Sequence, residues 1–128
     1  MSESAIQRGA INLLIMHGWL VIRVNSGGQQ AEYTTKSGQK KSRWFWFSKW
    51  FCSGHDEESA GVSDLIVTSP AGETVYIETK TPGKEPTPKQ REFGAEVLAR
   101  NARWIVCDDL AIIQELVEDY LNQSARLP

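Results

Sequence analysis

Glu78 and Lys80 stand two positions apart in Glu73–Lys80, a run whose β-branched and apolar content reads as a strand. That spacing puts both side chains on one face of a strand, with Val75, Ile77 and Thr79 on the other. The apolar row suits a core, so the charged row asks for a chemical reason. Pro70-Ala71-Gly72, just before the run, fits a three-residue hairpin loop: a type I turn followed by a left-handed glycine. Such a turn pairs Ser69 with Glu73, and the same register carries Asp64, on the strand Ser63–Ser69, opposite Glu78. Opposed residues share a face of the sheet with side chains about 5 Å apart. Two carboxylates and an ammonium therefore converge on one patch. Like charges so placed repel unless a cation lies between them. The expected occupant is a hard divalent ion, Mg2+ or Mn2+, which needs only one or two carboxylates and keeps several waters. It would generate hydroxide and steady charge on a phosphoryl oxygen, while the lysine positions or helps deprotonate the water. The plainer reading is a solvated strand face with Asp64 as a surface residue.

The elements that must hold this patch follow from caps and periodicity. Ser2 is placed to cap a helix reaching Leu13–His17, with Glu3 in its first turn and Ile6, Ala10, Leu13, Leu14 and His17 along one side. His17 is expected to be a partly buried structural residue. Gly18 stops the helix, and Trp19–Asn25 reads as a strand ended by Ser26-Gly27-Gly28. From Gln29 to Gly61 the pattern predicts one or two irregular strands joined by mobile loops. Thr87, Pro88 and Gln90 carry the marks of a capping box, opening a helix to about Arg100. Arg103–Cys107 reads as a last strand, and Asp109 caps a helix over Leu110–Asn122.

Read in order, Gly61-Val-Ser-Asp64-Leu-Ile-Val, Tyr76-Ile-Glu78-Thr-Lys80 and Pro86-Thr-Pro-Lys-Gln90-Arg-Glu-Phe93 resemble the VRR-NUC family. This is the virus-type replication-repair branch of the PD-(D/E)xK nucleases. Ser2-Glu3-Ser-Ala-Ile-Gln7 and Arg23-Val-Asn25-Ser26-Gly27 are similar to its opening, so the likeness runs from residue 2 to about 108. Ser63 stands where many members have proline. The resemblance implies an α/β, restriction-endonuclease-like core: a mixed, mostly antiparallel sheet flanked by helices, in one domain over residues 1–128 with a basic aromatic insertion at about 29–60. It also implies a metal-dependent nuclease of branched DNA. Asp64 and Glu78 would be ligands, Lys80 would orient or activate the attacking water, and Glu3 would complete the metal site. Gln90 would support the lysine or the scissile phosphate, and Thr79 would lend its carbonyl to the metal. Glu3 also suits the helix dipole alone, and Gln90 the capping box alone. Stand-alone members resemble Holliday-junction resolvases, which implies a homodimer cutting four-way junctions. A flap or end-directed nuclease and a non-catalytic branched-DNA-binding subunit are the competing readings.

Charge speaks to the partner. The 128 residues carry a net charge of −2, with 41% hydrophobic and 23% charged residues, which excludes a disordered or fibrous chain and gives no basic excess. The excess is local. Between Tyr33 and His55 lie Lys36, Lys40, Lys41, Arg43 and Lys49 without an acid, interleaved with Trp44, Phe45, Trp46, Phe47, Trp50 and Phe51. Cations follow phosphates and aromatics stack unpaired bases. Alternating aromatics equally serve a core or a subunit interface, so the DNA contact is assigned to Lys36, Lys40, Lys41 and Arg43. Arg23 and Ser26 near the end of the first strand, and Lys84 and Lys89 before the Gln90 helix, are further candidates for the DNA backbone. Two cysteines 55 positions apart make no disulfide framework, so an intracellular protein is expected. Cys52-Ser-Gly-His55 is only half a zinc motif. The longest apolar stretch, Ile11–Ile22, is too short for a membrane span, which takes about 20 residues.

Overall fold

A computed structural model describes residues 1–24, 27–47 and 62–126, with the side chains of 27–31, 44–47 and 124–126 left aside. Asn25, Ser26, Lys49, Trp50, Phe51, Cys52, His55 and Asp56–Glu58 lie outside the described residues, as do the side chains of Trp44–Phe47.

The first helix, α1 (Glu3–Met16), starts where Ser2 Oγ accepts the Ala5 N–H at 3.1 Å. Its buried stripe is Ile6, Ala10 and Leu14, whereas His17 is exposed. His17 follows the last helical turn, past the point where the stripe meets the core, which corrects its expected burial. Strand β1 (Leu20–Arg23) then pairs antiparallel with β4 (Leu65–Thr68), and β4 with β5 (Thr74–Thr79). The turn between β4 and β5 has the expected form: Ser69 N–H donates to Glu73 O, Gly72 N–H to Ser69 O, and Gly72 has φ +93°. Helix α2 (Pro88–Ala99) carries the chain over to β6 (Arg103–Cys107), which lies parallel to β5. The sheet order is β1-β4-β5-β6, mixed and mostly antiparallel, as expected.

Helices cover both faces. α1 and α3 (Leu110–Arg126) seal one, where Ile6, Leu14, Leu65, Val67, Val75, Ile77, Ile113 and Leu116 form the core. Helix α3 runs four residues past the expected Asn122. On the other face α2 meets Tyr76 through Phe93, edge to face with centroids 5.8 Å apart. Gly94 sits so close to Trp104 that a Cβ there would lie 2.5 Å from the indole ring.

Of the segment expected to be irregular, residues 29–61, the described part is a regular antiparallel hairpin, β2 (Gly27–Thr34) on β3 (Lys40–Phe47), forming its own two-stranded sheet. Gly27 and Gly28 open β2 instead of ending the previous strand. A tight turn explains the regularity. Thr35 O accepts from Gly38 N–H, Thr35 Oγ1 accepts from Gln39 N–H, and Gly38 takes the left-handed φ of +84°. β2 and β3 pack chiefly on each other and make no substantial contact with another described element.

Candidate active site

The β4–β5 ladder ends one rung short of the proposed pair. Leu65 faces Ile77, so the next rung sets Asp64 across from Glu78. Val24 N–H donates to the Asp64 carbonyl at 2.8 Å, fixing that backbone from the β1 side as well. The Asp64 carboxylate is held by Thr79: Oδ2 accepts the Thr79 N–H at 2.9 Å and its hydroxyl at 2.7 Å. Thr79 is fully buried, and its Oγ1 in turn accepts from Gln7 Nε2 at 3.3 Å. A chain of hydrogen bonds thus runs from α1 through the strand end to Asp64.

Glu78 is 1% exposed and Asp64 and Lys80 are half-buried, so Glu78 is not on a solvated face as the plainer reading had it. Its Oε1 accepts from Gln90 Nε2 at 2.8 Å, while Oε2 is buried with no hydrogen-bond partner. Burial first, and then the Asp64 carboxyl beside it, push the Glu78 pKa from 4.5 up to about 9. Lys80 pulls against this shift and Glu3 adds to it, which puts both within electrostatic reach. The Lys80 side chain is half-buried just past β5, and its backbone N–H donates to Cys107 O.

Gln90 takes both of its suggested roles at once. Its Oε1 accepts the Thr87 N–H at 2.8 Å, closing the capping box, and its Nε2 is left to hold Glu78. The two ends of one amide thereby tie the start of α2 to the end of β5.

The other candidates divide. Among the described residues no three His, Cys, Asp or Glu side chains form a metal-ligand group, and Glu3 bears on Glu78 through its charge. Arg23 and Lys84 are exposed, and Lys89 is half-buried on the first turn of α2. Lys36, Lys40, Lys41 and Arg43 are exposed on the hairpin, apart from this cluster. Ser26 lies outside the described residues. Cys107 is buried, with its thiol pushed up to about 11 by desolvation, which suits packing and not metal binding.

Two residues had no role in the expectations drawn from the sequence. Gln7 follows Glu3 by four positions, so both lie on the α1 face that meets the site, and that spacing was the available signal. Ser63, in the place of the common proline, is buried and accepts from Trp104 Nε1 at 3.1 Å. That bond fixes the residue before Asp64 by a tertiary contact in place of ring stiffness.

The model of the VRR-NUC domain family matches residues 17–110, most of the chain and all of the β4–β5–α2 assembly just described. The chain belongs to the VRR-NUC domain family. A solved structure described as a VRR_NUC domain superposes with a TM-score of 0.61, covering 94% of this chain and 99% of the other at 20% identity. At that identity the likeness is one of fold. A protein of Acyrthosiphon pisum secondary endosymbiont phage 1, named "Putative nuclease p44", is 40% identical over 48 residues. The match covers 38% of this VRR-NUC chain and spans about half, 52%, of the phage protein.

Proposed function

We propose that this VRR-NUC domain is a Mg2+-dependent, structure-selective DNA endonuclease, also active with Mn2+, that cuts four-way junctions as a homodimer inside a bacterial or phage-infected cell. One observation carries the metal dependence: Glu78 Oε2 is buried against the Asp64 carboxyl, a second acid, and receives no hydrogen bond from any N–H or hydroxyl donor. A buried acceptor of this kind is costly unless something positive completes it. The donor set, two adjacent carboxylates, suits a hard divalent ion, so the residues fit the group. Asp64 and Glu78 would hold it, with the Thr79 carbonyl and the Glu3 charge nearby. Bound there, the ion supplies Lewis-acid stabilisation of the phosphoryl oxygens and an activated water.

The protein's own part is orientation. Thr79 and Gln7 fix Asp64, Gln90 fixes Glu78, and Lys80 brings the cation that orients the water or meets the developing charge. Pre-set groups of this kind do not have to reorganise during the reaction. The homodimer supplies two sites related by a two-fold axis, matching the two opposed strands of a junction.

The test uses labelled four-way junctions, flaps and blunt duplexes, each with Mg2+, Mn2+ or EDTA. Wild type is expected to cut junctions first, only with metal, and with symmetric incisions. A preference for flaps or ends would replace the junction reading with that of an end-directed nuclease. Intact DNA in every arm would overturn the nuclease reading and leave a branched-DNA-binding subunit.

A further inference from the structure

The net charge of −2 conceals where the cations are. Residues 27–47 carry Lys36, Lys40, Lys41 and Arg43 against Glu32 alone, and all five are exposed. The register concentrates the lysines at one end of the ribbon. Thr34 pairs with Lys40 on the last rung, Tyr33 with Lys41 on the rung before, and Lys36 lies in the closing turn. Successive strand residues face opposite ways, so Lys40 and Lys41 put charge on both faces of the tip. Among the described residues the ribbon makes no substantial contact with another element. Exposed lysines spread around a slender tip fit a polyanion whose phosphates repeat along a line.

The root of the ribbon is tied to the catalytic cluster. Val24, whose N–H donates to the Asp64 carbonyl, precedes β2 by three residues. The seven steps from Gly27 to Thr34 span about 24 Å, and three more residues add at most about 10 Å. The tip therefore lies within about 35 Å of Asp64, or about ten base pairs of duplex at 3.4 Å each.

We propose that the β2–β3 ribbon is a phosphate-gripping finger that holds a duplex arm of the DNA several base pairs from the cut, through Lys36, Lys40 and Lys41. The finger steadies an arm and reads no base. The inference rests on the DNA-nuclease reading but concerns a separate surface, so binding is measured in EDTA, where cutting does not enter.

The probes are four-way junctions with loop-closed arms of about 20 or about 6 base pairs, titrated by fluorescence anisotropy from 50 to 200 mM salt. Removing one lysine–phosphate pair lowers the slope of log affinity against log salt by about 0.9. Lys36→Gln/Lys40→Gln/Lys41→Gln is expected to lower the slope by about 2–3 and the affinity for long-arm junctions about tenfold or more. Shortening the arms should cost wild type affinity and cost the triple variant much less. Glu32→Lys, which adds a cation near the tip, should raise the slope by about 1, an effect misfolding does not imitate. Equal slopes for wild type and triple variant, or an equal cost of arm shortening for both, would overturn the proposal. Loss of cutting by wild type with binding changed as described would sink the nuclease reading alone.

Discussion

The described residues hold two β-hairpins built by the same local device and set in opposite surroundings. β2–β3 and β4–β5 are both antiparallel pairs, and both turns contain a left-handed glycine, Gly38 at φ +84° and Gly72 at φ +93°. The second lies in the centre of a covered sheet, and its Glu78 is desolvated beside Asp64 and pushed up to about 9. The first makes no substantial contact with another described element, and its lysines are in water. A charge removed from water interacts strongly at short range and must be completed by a partner. A charge left in water is weakly coupled to its neighbours and free to meet a polyanion. Location, not strand chemistry, separates the buried carboxylate from the exposed lysines here.

The largest effect expected within this contrast is on the buried side. Lys80→Ala should lower single-turnover junction cleavage about 100-fold or more, with the melting temperature little changed, whereas no single ribbon lysine should approach that loss. Lys80→Ala cutting as well as wild type would remove the catalytic role assigned to it.

Packing comes next. Gly94→Ala drives a methyl into the Trp104 ring, which its hydrogen bond to Ser63 holds in place, and should cost about 1–3 kcal/mol in a denaturant titration. A neutral result would mean that α2 slides freely on β6.

The third prediction concerns pH. The folded Glu78 pKa of about 9 lies above the ordinary 4.5, so without metal the folded state binds the extra proton. Stability in EDTA is therefore full below about pH 4.5 and is lost as pH rises toward 9. The melting temperature should fall by about 5 °C or more across that window, and Glu78→Gln should flatten this part of the curve. Mg2+ should recover the loss at pH 8 in wild type but not in Glu78→Gln. Parallel curves for the two proteins in EDTA would refute the desolvated-carboxylate account.

The smallest effect separates the two turns directly. No neighbour lies within 4 Å of a Cβ at Gly72 or Gly38, so alanine at either costs only the left-handed backbone, about 1 kcal/mol. Gly72→Ala should appear in global unfolding, because β4–β5 is the centre of the sheet. Gly38→Ala should leave global unfolding unchanged and speed amide exchange in the ribbon alone.

How much of this was legible beforehand depends on the range of the interaction. The caps at Ser2 and Thr87 and the turn at Pro70–Gly72 are set within four residues, and from that turn the Asp64–Glu78 rung follows by counting. The ribbon was missed in the same range. Thr35, Lys36, Ser37 and Gly38 make a sound turn, but the mixed polar and aromatic composition around them hid the two-residue period.

The sequence alone therefore determined that Asp64 and Glu78 face each other across one hairpin, because strand alternation and turn type are local rules. Only the tertiary structure decided that Glu78 is buried, that Gln90 caps a helix and holds Glu78 with one amide, and that Gln7 reaches Thr79 across 72 positions. It also decided that one hairpin joins the core while the other stands apart. Contacts between segments distant in the chain leave no periodic trace, since they depend on how helices close over a sheet and on which groups that closure removes from water.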